Sequence, residues 1–252
     1  MEVQVHGGAR PTPFLRARDA FETEFDLDRP VKVFVRNDPD ERTRTSHTEE
    51  FHYLTISTAA ARGGMGRELA LHEFAHMYRH EEGHASHQQS TREAIFLAGT
   101  GRTVPRSRVL QCYQIANHMK DIYADDLTLR VTPAERLVAF LESSIAQSLT
   151  EYPNTRAPTN GIPVTPRPDA DIRAVNAAFA LGLLERHDVL PADHQLRELA
   201  QLVANRAPGV PFDEYREVFR TLPDDPDAST YRRYLVDITR RHLADENMTA
   251  SD

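Results

Sequence analysis

Leu69-Ala-Leu-His-Glu-Phe-Ala-His-Met-Tyr78 decides how the rest of this 252-residue chain is read. It holds no proline, and Leu69, Ala70, Phe74, Ala75, Met77 and Tyr78 fall where a helix buried on one side places them. His72 and His76 are four residues apart, so their imidazoles lie one turn above each other on the same face. That spacing offers two nitrogen ligands to one zinc ion, and Glu73, next to the first, can reach a water beside the ion without occupying the metal. An ordinary helix with hydrogen-bonded histidines can carry the same letters; the apolar flanks favour the metal site.

His72-Glu73-Phe74-Ala75-His76 resembles the signature of the zincin metallopeptidases. The resemblance implies that His72 and His76 bind zinc and that Glu73 polarises the attacking water. Zincins differ in the third ligand. The metzincin pattern has a glycine and a histidine where this chain has Arg79 and Glu82, so that type is set aside. The gluzincin pattern takes a carboxylate from a later helix, and Ser107 to Leu127 reads as one. Pro105 precedes it, Ser107 is a candidate N-cap, and Val109, Leu110, Tyr113, Ile115, Ala116, Met119 and Ile122 form an apolar series. Asn117, Asp121 and Asp125 recur at i+4 and line one face, a polar stripe that needs a partner.

Asp121-Ile-Tyr-Ala-Asp125 resembles the Glu-x-x-Ala-Asp of HtpX and CAAX-type gluzincins and the Glu-x-x-Ala-Asn of ImmA-like proteases. Carried over, Asp121 is the third ligand and Asp125 accepts a hydrogen bond from a ligand histidine, with Asn117 as a further support. Aspartate is roughly 1.5 Å shorter in reach than glutamate, so the two helices lie closer or the ligand moves to Asp125 or Asp126. Glu93 competes as third ligand, although Ser90 and Glu93 also make a capping box for a short helix ending near Gly99. Between the helices lies His80-Glu-Glu-Gly83-His84-Ala-Ser-His87, with Gly83 as a helix stop. A histidine of this turn, His118 or Tyr123 is a candidate donor to an oxyanion; a solvated loop is the plain alternative.

A net charge of −8 argues against nucleic acid or an anionic membrane as partner. Lysine is confined to Lys32 and Lys120 while arginine is plentiful, a balance that fits GC-rich or salt-loving organisms and suggests a haloarchaeal cytosol. Cys112 stands alone among apolar neighbours and reads as a buried small hydrophobe. Neither a signal peptide nor a membrane span is legible, so a soluble, cytoplasmic protein is expected, and the likeness to membrane-embedded gluzincins is to their catalytic core only.

Ahead of the motif, Glu2–Val5, Val31–Val35 and Phe51–Ile56 read as strands, with a helix from Thr12-Pro13 to Asp26 and a polar connection over Arg36–Thr48. The strand Phe51–Ile56 is expected to border a substrate cleft, as its counterpart does in zincins. Arg62-Gly63-Gly64-Met65-Gly66 lacks the lysine of a phosphate loop and reads as a tight connection. After the motif, Thr132-Pro133-Ala-Glu135 starts a helix carrying Leu137, Val138, Phe140, Leu141 and Ile145. A proline-rich linker follows, then helices over 170–186, 192–205, 212–221 and 229–246 with apolar faces that include Leu202.

The expected fold class is α+β: a small, mostly antiparallel sheet, a helical zincin core and an all-helical C-terminal half. The expected division is 1–152 for the metallopeptidase domain, 153–168 for the linker and 169–252 for a helical subdomain. The expected function is zinc-dependent hydrolysis of a peptide or protein substrate by His72, His76, Asp121 and Glu73. An inactive zinc-binding regulatory protein is the alternative from another class, and a fourth protein ligand such as His80 or His84 would favour it.

Overall fold

A computed structural model describes residues 1–38, 41, 43–150 and 170–244. The fold is α+β, with four strands and eleven helices among the described residues. By its contacts the chain divides into two compact units, one of residues 1–90, 119–137 and 224–234, the other of 91–118, 138–223 and 235–252. Neither unit ends at residues 153–168, and the expected linker lies outside the described residues.

In the first unit the sheet runs in the order β1 (Val3–His6), β2 (Val31–Arg36), β4 (His52–Ser57), β3 (Arg44–His47). It is mixed, not mostly antiparallel: β1 pairs with β2 and β2 with β4 in parallel, and only β3 and β4 are antiparallel. Two features of the sequence account for this. α1 (Thr12–Phe21) serves as the crossover between β1 and β2, as a parallel pair requires. β4 carries His52, Leu54 and Ile56 on its buried face, whereas β3 is Arg-Thr-Ser-His, too polar for the middle of a sheet. The apolar strand therefore takes the interior place and the polar one the edge. β3 lies within the stretch read as a connection, and β4, expected to border a cleft, is paired on both sides.

α1 stops at Phe21, short of Asp26, although Phe25 and Leu27 beyond it are still buried. Behind it packs α3 (Gly66–Glu81), the motif helix, with Phe21 6.3 Å from Phe74 and 6.1 Å from Tyr78 between ring centroids. Phe74, Ala75 and Met77 are fully buried with Val31, Val33, Leu54 and Ile56. Truncating Phe74 to alanine is expected to cost about 3–5 kcal/mol, so this anchorage fixes which face of α3 is turned to the site.

A short helix, α2 (Thr58–Arg62), enters between β4 and α3, capped by Ser57, whose hydroxyl accepts from the Ala60 amide at 3.1 Å. Gly66 then begins α3 where a Cβ would stand 2.7 Å from the Ala61 carbonyl oxygen. The glycine-rich connection thus serves close packing between two helices.

The second unit is helical: α5 (Thr91–Gly99), residues 106–118 of α6 (Arg106–Val131), most of α7 (Ala134–Thr150), α8 (Ala170–Arg186), α9 (Gln195–Ala204), α10 (Phe212–Thr221) and the end of α11 (Ala228–Ala244). α8 is its centre, buried almost all round from Ala174 to Leu184. A Cβ on Gly182 would meet the Arg216 carbonyl oxygen at 2.7 Å, which records how closely α10 crosses it. Cys112 is fully buried, and burial pushes its thiol up to about 12, in keeping with a core role. Leu110, Tyr113, Phe140 and Leu202, read as core-facing, are exposed; the buried stripes of their helices are narrower than the apolar series suggests.

Candidate metal centre

The site lies within the first unit. α3 supplies His72, Glu73 and His76, and the 119–131 part of α6 supplies Asp121 and Asp125. Arg79 clamps the two helices, its Nε donating to the Tyr123 carbonyl oxygen at 2.8 Å. Its Nη1 is held by Glu82 at 2.6 Å, where α3 ends.

His72 Nε2 and His76 Nε2 are 3.0 Å apart. Asp121 Oδ1 is 3.3 Å from His76 Nε2 and 3.7 Å from His72 Nε2. Ligand atoms about 2.0–2.1 Å from a tetrahedral ion stand roughly 3.3–3.4 Å from one another, and the three observed separations bracket that value. Two imidazole nitrogens and one carboxylate oxygen suit zinc in chemistry as well as spacing. Among the described residues these three form the group able to hold a metal ion. The aspartate reaches without the ligand shifting to Asp125 or Asp126, and neither Glu93, His80 nor His84 belongs to the group. His72 and Asp121 are 25% and 22% exposed, so these two side chains are partly open to solvent.

Asp125 lies against the outer nitrogen of His72, the place a supporting carboxylate would take. Its Oδ1 accepts from His72 Nδ1 at 2.8 Å and from Thr128 Oγ1 at 3.1 Å. Asn117, a turn before Asp121 on the same helix, is exposed. His80 stacks on His47 with centroids 4.0 Å apart, and His84 Nδ1 is taken by Ser86. The Tyr123 side chain is fully buried.

Sequence reasoning passed over one contact. His87, in the short helix α4 (Ala85–Gln88), lies with Nε2 2.7 Å from His76 Nδ1. The polar turn between the helices was legible; which of its histidines folds back was not, because a turn fixes no periodicity.

The charges of the site oppose one another. Burial disfavours an imidazolium at His72, but Asp125 and Asp121 together outweigh it and raise this histidine well above its ordinary value. Burial raises Glu73 above the usual carboxylate range, against the pull of His72 and His76. Burial, with His76 close by, pushes His87 down to about 2 and keeps it neutral.

No curated protein and no solved structure matches the chain. A family model does match, over residues 1–244, and so the chain belongs to that family, DUF5781, described as a family of unknown function.

Proposed function

We propose that this protein is a zinc-dependent hydrolase of peptide bonds, with His72, His76 and Asp121 as the metal ligands. The observation that carries the reading is the meeting of three ligand atoms at 3.0–3.7 Å beside a buried glutamate of raised proton affinity. A bound zinc ion supplies Lewis acidity, lowering the pKa of water and polarising a carbonyl oxygen. Glu73 takes the proton of the attacking water on its carboxylate and passes it to the leaving nitrogen. Its burial moves that carboxylate towards a working pH, as a general base requires. Asp125 and Thr128 hold the His72 ring in place while this happens.

An extended peptide has a natural partner in β3, the edge strand beside α3, whose outer backbone groups are not used by the sheet. No described helix is long and apolar enough to cross a membrane. The alternative, an inactive zinc-stabilised protein, would be favoured by a fourth protein ligand, and among the described residues neither His80 nor His84 is in the ligand group.

The test is zinc content followed by peptide cleavage. Purified wild type is loaded with zinc, freed of loose metal and compared with Asp121→Ala and Glu73→Gln. About one zinc per chain in wild type, loss in Asp121→Ala, and retained zinc without cleavage of a peptide library in Glu73→Gln are expected. Wild type that keeps no zinc overturns the reading.

A further inference from the structure

The turn at α4 meets the nitrogen of His76 that carries its proton. The Ser86 backbone N–H can only donate, and it donates to His84 Nδ1 at 3.2 Å, so that nitrogen is bare. Ser86 Oγ lies 2.7 Å from the same nitrogen, so its hydroxyl proton points there too. The Ser86 oxygen is then an acceptor for His87 Nδ1 at 2.8 Å. His87 Nε2 lies 2.7 Å from His76 Nδ1, and with Nε2 of His76 turned to a metal ion the proton of that ring is on Nδ1, so His87 Nε2 is the acceptor it meets. The Nε2 lone pair of His76 then faces His72 Nε2 and Asp121 Oδ1. On the other side Asp125 accepts the Nδ1 proton of His72, and Nε2 is the nitrogen of that ring turned to the metal position.

We propose that His87, held by Ser86 and His84, is a positioning residue of the metal centre, orienting His76 as Asp125 orients His72. The inference rests on the zinc reading above and deepens it. The two ligand histidines are held unequally: His72 by a carboxylate, His76 through a chain of neutral side chains starting at a backbone amide. A carboxylate acceptor makes the imidazole it holds more basic, so His72 is the stronger donor and His76 the weaker. Ser86 is fully buried and His84 is 6% exposed, so bulk water offers His87 little competition at its anchored end.

Two measurements on the full chain test this. Long-range proton–nitrogen NMR of the zinc-loaded, histidine-labelled protein reads the tautomers directly. Protons on Nδ1 of His76 and His87 and on Nε2 of His84 are expected; a proton on His87 Nε2 overturns the inference. Zinc affinity, by competition with a chelator, is expected to fall about 10- to 100-fold in His87→Ala and to recover most of that loss in His87→Gln, whose amide oxygen can accept in place of Nε2. Unchanged affinity in a folded His87→Ala sinks this inference and leaves the hydrolase reading standing. Should His87→Ala not fold, the wild-type spectrum decides. Wild type without affinity for zinc ends both.

Discussion

Asp125 Oδ1 lies 2.8 Å from His72 Nδ1, one helical turn beyond Asp121, whose carboxylate faces the other nitrogen of the same ring. One helix face thus grips one imidazole from both ends. Asp125 is 5% exposed and shares its oxygen with Thr128, so the grip is rigid as well as charged. Asp125→Ala is expected to weaken zinc binding about 10- to 100-fold, measured by chelator competition, and Asp125→Asn, which keeps an acceptor oxygen, to weaken it less. Equal affinities in all three proteins would show that His72 needs no such support.

Glu73→Gln separates chemistry from stability. Burial raises the folded pKa of Glu73 above its ordinary value of 4.5. The contribution of the protonated acid is therefore full below that value and lost as pH rises through the folded pKa. Glutamine imitates the protonated acid at every pH. In excess chelator the variant is expected to melt higher than wild type at about pH 8, with the two converging near pH 4. With zinc restored, turnover is expected to fall about 10²- to 10⁴-fold. A metal-free variant that melts lower than wild type at the higher pH contradicts the account of Glu73.

Helical periodicity is why so much of this site was legible. His72 and His76 on one helix, and Asp121 and Asp125 on another, are each fixed by an i+4 relation that survives any tertiary arrangement. Asn117 satisfies the same spacing and is nonetheless exposed, since periodicity gives a direction and not how far along the helix a partner extends. His87 depends on a turn folding back onto α3, a relation between elements that no local pattern encodes. The sheet divides in the same way. Alternation marked β2 and β4 as strands, but it is identical for parallel and antiparallel pairing. The order followed from a comparison of whole strands: the most polar one, hidden in a polar run, went to the edge.

Glu81, the last residue of α3, anchors the helix to the sheet. Its carboxylate accepts from the Asp28 and Arg29 amides at 2.9 and 3.0 Å, from Arg29 Nε at 3.1 Å and from His52 Nε2 at 2.7 Å. Burial opposes the charge, yet these donors together hold the carboxyl below its ordinary range. Glutamine can accept fewer of these bonds and brings an amide donor among existing donors. Glu81→Gln is therefore expected to destabilise the protein by about 2–4 kcal/mol, read from urea unfolding at neutral pH, and a loss under about 0.5 kcal/mol, the range of an ordinary surface change, would reduce the network to a surface ornament.

His47, on the edge strand β3, couples that strand to acid. Its Nδ1 lies 2.7 Å from His52 Nδ1, and because His52 gives its Nε2 proton to Glu81, His47 is the donor. Its ring lies on His80 at 4.0 Å. Burial, then the neighbouring His80 and His52, Arg29 and His76, push His47 down to about 3. A depressed histidine contributes stability that is present above its ordinary value of 6.5 and is lost as pH falls towards the folded one. His47→Phe keeps a ring on His80 and cannot take a proton, at the cost of the bond to His52. The variant is expected to be less stable than wild type by about 0.5–1.5 kcal/mol at neutral pH, and the difference to shrink and then reverse as pH drops from 6.5 to about 4, in urea titrations followed by circular dichroism. A constant difference across that interval would mean that His47 is not what makes the strand sensitive to acid.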